Sequence, residues 1–159
     1  MDIPGVGRMS VIADPTGATI CLFQPGEHQG SPPSGPQPGT FGWSELATRD
    51  TDRAGRFYSE LFDWGMKTDQ GDPIPYTEFQ LAGESIGGML AMTEQYGDAP
   101  PHWLPYVMVE DCNETFGKAT KLGAKTYVPP MDIPNVGRFA VFADPTGAAL
   151  AIIQLTERG

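Results

Sequence analysis

Histidine and cysteine are scarce in this chain, two of each in 159 residues, and that scarcity limits its chemistry from the start. Cys21 and Cys112 share no motif and lie far apart, so they form no disulfide framework and suit a reducing cytoplasm. Both are expected to be small buried hydrophobes. His28 and His102 do not sit where a Ser-His-Asp set or a Cys-His cluster would need them. Basic residues are also few. Ten Lys and Arg stand against twenty Asp and Glu, a net charge of −10, which argues against nucleic acid or an anionic membrane as partner. No apolar run approaches the roughly 18 residues that span a bilayer, and no basic-then-apolar leader opens the sequence. Residence in the cytoplasm is the expectation. A phosphate-binding glycine loop is missing too; the Gly-Val near residues 5 and 6 is read as a turn.

What the chain does have is glycine and proline, twenty and sixteen residues, which in an ordered protein imply many turns and short strands. It also has an internal repeat. MDIPGVGRMSVIADPTGATICLFQ at the start returns as MDIPNVGRFAVFADPTGAALAIIQ from Met131, with roughly 15 of 24 aligned positions identical. Each copy reads as a β-hairpin around Asp-Pro-Thr-Gly, where proline presets φ and glycine accepts the positive φ that leaves the turn.

The stretch Pro25 to Gly39 lacks periodicity and almost lacks apolar side chains, so it is read as a linker, with His28 solvated within it. One complete unit follows, over residues 40–156. A strand at Phe41–Thr48 puts Trp43, Glu45 and Ala47 on one face. Asp50 or Thr51 caps a helix to about Phe62, whose stripe is Ala54, Phe57, Tyr58, Leu61 and Phe62. Strands are expected near Gly65–Thr68, Tyr76–Leu81 and Ile86–Met92. The pattern then recurs with a strand at Tyr106–Val109, a helix from Asp111 to Leu122 turned inward on Phe116, Ala119 and Leu122, a glycine stop at Gly123, and strand Lys125–Val128 ahead of the closing hairpin. Residues 1–24 are accordingly the last hairpin of a preceding module. An isolated hairpin is marginal in water, so it must dock on its own module, on a second copy in a homodimer, or on another partner. Since Met1 aligns with Met131, the chain is expected to derive from a longer two-module protein.

These segments, GWSELATRDTDRAGRFYSELFDWG, HWLPYVMVEDCNETFGKATKLGAK and PPMDIPNVGRFAVFADPTGAALAIIQ together, resemble the vicinal oxygen chelate superfamily of glyoxalase I, bleomycin-resistance proteins and extradiol dioxygenases. The likeness is strongest to bacterial two-module glyoxalase-like proteins. It implies an α+β fold in which paired β-α-β-β-β units form a cup-shaped mixed sheet. Metal-dependent members carry His, Gln or Glu ligands on the first and last strands of each half. Carried over, those positions fall on Trp43, Leu104, Gln154 and the apolar run Met89 to Met92. Only Gln154 is a donor there, and an amide binds such ions weakly. Glu45, His102 and Gln154 could form at most a degenerate site, so no metal and no cofactor is expected.

A cup lined by Trp43, Met89, Met92, Trp103, Leu104, Tyr106 and Gln154, with Glu45 beside Trp43, suits a small aromatic or apolar metabolite. The favoured reading is a metal-free binding protein. The alternative is a metal-independent isomerase, epimerase or cyclase in which Glu45, its pKa raised by an apolar cup, carries a proton. A metal-dependent lyase or dioxygenase is the least favoured, and a third kind of role is assembly, with the N-terminal hairpin completing a neighbour's sheet. Trp64 is expected in packing.

Overall fold

The structure, a computed structural model, describes residues 1–28, 37–70 and 75–156; most of the expected linker lies outside them. They form two compact units. The first holds residues 1–28, 45–70 and 75–103, the second residues 37–44 and 104–156.

In the first unit, β1 (Asp2–Ile3), β2 (Gly7–Ala13) and β3 (Thr19–Pro25) make a small antiparallel sheet, the N-terminal copy of the repeat. Strand β4 (Phe41–Thr48) enters from the second unit and leads into α1 (Thr51–Phe62). The Asp50 side chain caps α1 by accepting from Arg53 N at 3.0 Å, as its short carboxylate next to a helix start favours. Strands β5 (Gly65–Asp69), β6 (Tyr76–Leu81) and β7 (Glu84–Ala91) form a meander, and β7 returns parallel to β4, pairing Glu45 with Gly88 and Leu46 with Met89. The expected β-α-β-β-β order is present. A parallel return of this kind requires the helix crossover that α1 provides.

The core of this unit lies between α1 and one strand face. Ala54, Tyr58, Leu46, Phe79 and Met89 are buried, with Phe57, Phe62, Trp64 and Trp103 packed around them. Tyr58 is the hub. Its ring centroid lies 5.1 Å from Phe57, 5.7 Å from Phe79, 6.0 Å from Trp64 and 5.3 Å from Trp103, mostly edge-to-face or offset geometries that suit the aromatic quadrupole. Leu61, expected in the same stripe, is exposed, because it falls at the edge of the arc that α1 turns to the sheet. The N-terminal hairpin joins this core through its turn: Ala18 is fully buried and Ile20 packs beside it. Cys21 is exposed, contrary to expectation, since it shares a strand face with Val11 and Phe23, which are 57% and 47% exposed.

In the second unit, β8 (His102–Met108), which begins in the first, leads to α2 (Cys112–Lys121), then β9 (Lys125–Ile133), β10 (Gly137–Ala143) and β11 (Ala149–Leu155). Asp111 caps α2 through Glu114 N, and Gly123 ends it at φ +94°. Strand β11 pairs parallel with β8, Ala151 opposite Tyr106. The helix-side face of the β10–β11 hairpin, Ala140, Phe142 and Ile152, packs with Cys112 beneath Phe116 and Ala119. Leu122 was expected inward but is 69% exposed, because it lies beyond the last helical turn. Cys112 is buried, and that burial raises its thiol pKa; it is a packing residue.

Candidate functional site

Strand parity sorts the expected site residues. Along β8 the side chains alternate, and so do their surroundings. Leu104, Tyr106 and Met108 join Ala151 and Ile153 of β11, with Trp43, Phe139 and Val141 packed against them. Trp103 points the other way, into the α1 core, where its Nε1–H donates to Tyr58 Oη at 2.9 Å. It is a core residue, not a lining one. Met89 is likewise in the α1 core, opposite Leu46. Met92 is buried just past β7, its backbone N–H donating to the Thr48 carbonyl. Gln154 is a correction of the same kind. It pairs with Arg138 across the hairpin, two residues from Ile152, and its Oε1 accepts from Cys112 N at 3.0 Å, satisfying the first turn of α2. The β11 residues that share the face of Leu104 and Tyr106 are Ala151 and Ile153.

Trp43, Leu104 and Tyr106 lie together in a cluster whose strand neighbours are apolar. Glu45 lies on the Trp43 face of β4 and is only 8% exposed. Near it stands Tyr96, at the end of a 3₁₀ turn over Glu94–Tyr96. Burial first, and the Glu45 charge second, raise the Tyr96 phenol above its ordinary range. Glu45→Gln removes the second cause, so the Tyr96 phenol should titrate at lower pH while staying above an exposed tyrosine. A spectrophotometric titration of wild type against Glu45→Gln, each with and without Tyr96→Phe, checks this; identical tyrosinate curves for the two would contradict it. The His102 ring centroid lies 6.3 Å from that of Tyr96, and its Nδ1 is 2.8 Å from the Pro100 carbonyl. A carbonyl only accepts, so Nδ1 carries a hydrogen and donates it to Pro100.

The sequence reading missed Tyr76, Tyr96 and Gly88. Two adjacent glycines in the middle of β7 were the available signal, since glycine inside a strand often marks a close approach.

The sequence profile of the glyoxalase/bleomycin resistance protein/dioxygenase superfamily matches residues 40–152. The chain belongs to that superfamily. CFP32 of Mycobacterium tuberculosis, provisionally named a glyoxylase, is 36% identical over 156 residues, covering 96% of this chain and 58% of CFP32. The anthracycline biosynthesis protein DauV of Streptomyces sp. strain C5 is 34% identical over 99% of this chain and 56% of its own length. The chain thus spans somewhat over half the length of these relatives. Among solved structures, the Mn(II)-bound glyoxalase of Novosphingobium aromaticivorans has the same fold, with a TM-score of 0.59 at 14% identity, over 97% of this chain and 51% of that one.

The metal that some superfamily members use does not fit the residues here. Trp43 and Leu104 sit in an apolar cluster and Gln154 is engaged at α2. Among the described residues no three His, Cys, Asp or Glu side chains gather as a ligand set, and three or four donors are the usual requirement. Among the described residues no helix is long and apolar enough to cross a membrane.

Proposed function

We propose that this superfamily member binds a flat aromatic or apolar small molecule without a metal, on the strand faces that carry Trp43, Leu104 and Tyr106. The observation that carries this reading is the chemistry of that cluster. Trp43 is half-buried against Leu104, Tyr106, Ala151 and Ile153, so the strand positions that would offer donors to a metal offer ring and aliphatic surface instead. Such surface gains from burying a planar ligand by stacking and dehydration. Likeness to a protein of anthracycline biosynthesis supports a fused-ring ligand class, and the two lone cysteines support a cytoplasmic setting. Titration with a dihydroxyanthraquinone tests the reading. Trp43 emission should be quenched saturably, and Trp43→Phe should abolish most of that quenching, because Trp64 and Trp103 are packed in the α1 core. Emission that stays unchanged across flat aromatic ligands would sink the reading.

A second reading has its own observation. Glu45 is a carboxylate 8% exposed beside a phenol, the kind of setting in which a general acid or base of an isomerase, epimerase or cyclase is found. Turnover that survives Glu45→Gln at the wild-type rate would remove Glu45 from that role.

A further inference from the structure

The edge strands differ in how they are protected. β1 and β3 edge the small sheet, β5 edges the meander of the first unit, and β9 edges the sheet of the second. β1 has only two residues, β5 carries Lys67 and Asp69, and β9 carries Lys125, Pro129, Pro130 and Asp132 with register shifts against β10. Short length, charge, proline and irregularity all discourage an exposed edge from pairing with another chain. β3 has none of them before its last residue, Pro25. It pairs with β2 in unbroken register, and no residue from Thr19 to Gln24 is charged, in a chain of net charge −10. The Asp14 N–H donates to the Ala18 carbonyl, so the bonded pairs of the hairpin fall at Ile12–Ile20, Ser10–Leu22 and Arg8–Gln24. The N–H and C=O groups of Thr19, Cys21 and Phe23 therefore point off the free edge, where no strand of the described residues pairs with them. The side chains of Cys21 and Phe23 are exposed beside Val11. The second copy of the repeat shows such an edge in use. There β11 carries β8, and the Ile153 carbonyl, at the place of Phe23, accepts from the Val109 N–H at 2.9 Å.

We propose that β3 pairs antiparallel with β3 of a second copy of this chain, about a two-fold axis at Cys21, joining the two small sheets into one. β8 is already taken by β11, and the other edges carry charge or are too short, so the matching neutral edge is β3 itself. In this register Cys21 faces the partner's Cys21 and Thr19 faces the partner's Phe23. Every outward N–H and C=O of these three residues then finds a backbone partner. Only neutral side chains meet along the paired strands, so the acidity of the chain does not oppose the contact there. A self-complementary contact of this kind closes at two copies.

Sedimentation equilibrium of wild type, Cys21→Ser and Cys21→Lys, from low to high micromolar concentration, tests the contact. Wild type and Cys21→Ser should dimerise. Cys21→Lys sets two like charges opposite each other and should weaken the dimer about tenfold or more, with circular dichroism checking that the fold is kept. Hydrogen exchange adds a readout that needs no variant. Protection of the Cys21 and Phe23 amides should rise with protein concentration more steeply than that of Ile20 and Leu22, which are bonded to β2. If Cys21→Lys does not fold, the exchange measurement on wild type decides alone. A wild type that stays monomeric overturns the proposal and leaves the edge to a different chain. So does a dimer that folded Cys21→Lys keeps at wild-type strength, or one whose Cys21 and Phe23 amides exchange as in the monomer, since the contact would then lie elsewhere.

Discussion

Tyr58→Ala is expected to destabilise the protein by about 3–5 kcal/mol, lowering the melting temperature by about 6–20 °C for a chain of this size. Tyr58 is fully buried and links three parts of the first unit. Its ring is surrounded by Phe57, Phe79, Trp64 and Trp103. Its hydroxyl accepts from Trp103 Nε1 and donates to Asp14 Oδ2 at 3.0 Å. Burial, the Asp14 hydrogen bond and the Asp14 charge raise the phenol pKa, outweighing the lowering by Trp103, so the proton stays in place for that donation. Tyr58→Phe separates ring from hydroxyl. It keeps most of the packing but leaves Trp103 Nε1–H and one oxygen of buried Asp14 without these partners, at about 1–3 kcal/mol. Urea unfolding of both variants measures the difference, and hydrogen exchange locates it: protection at Ile12 and Ile20 should fall before protection in α2. A Tyr58→Ala protein within 1 kcal/mol of wild type would show that the hairpin is not anchored there.

The second large effect concerns the repeat itself. Gly137→Ala should cost about 3 kcal/mol, the upper end for overpacking, because the added Cβ meets backbone and no rotamer change can relieve it. At Gly137 a Cβ would overlap the Gln154 carbonyl oxygen and lie 2.9 Å from Leu155 Cα, at the end of the β9–β10–β11 ladder. Gly7→Ala repeats the conflict in the first copy, overlapping the Gln24 carbonyl oxygen and lying 2.9 Å from Gly26 N. The repeated glycine therefore reflects how closely the two hairpin strands approach. Thermal unfolding of each variant checks this, and a Gly137→Ala protein as stable as wild type would mean that the strands separate without cost.

The two hairpins also show one sequence put to two uses. In both turns the aspartate Oδ1 accepts from the threonine N–H and hydroxyl, Asp14 from Thr16 at 2.7 and 2.8 Å and Asp144 from Thr146 at 2.8 and 2.7 Å. This network lowers the pKa of Asp144. Only in the first copy does the other oxygen take Tyr58, which turns a local turn device into an anchor.

Much of this was legible from residue order. The period of α1, the Asp50 and Asp111 caps, the Gly123 stop and the repeated Asp-Pro-Thr-Gly turns are local effects, decided by neighbours within a few residues, and local chemistry is what a sequence displays. Strand parity was displayed too. Trp103 and Leu104 are adjacent, so they could not line one face together, and Gln154, an odd number of places from Ala151 and Ile153, could not share their face. The family was legible from the combined motifs of residues 40–156. Tertiary structure alone decided which face of each strand the helices cover, because that depends on where the chain returns. It alone placed the Tyr76 ring over Gly88, 12 positions away in number, and the Asp14 carboxylate on Tyr58, 44 positions away. Contacts at that range depend on the whole backbone path, and no window of sequence contains them.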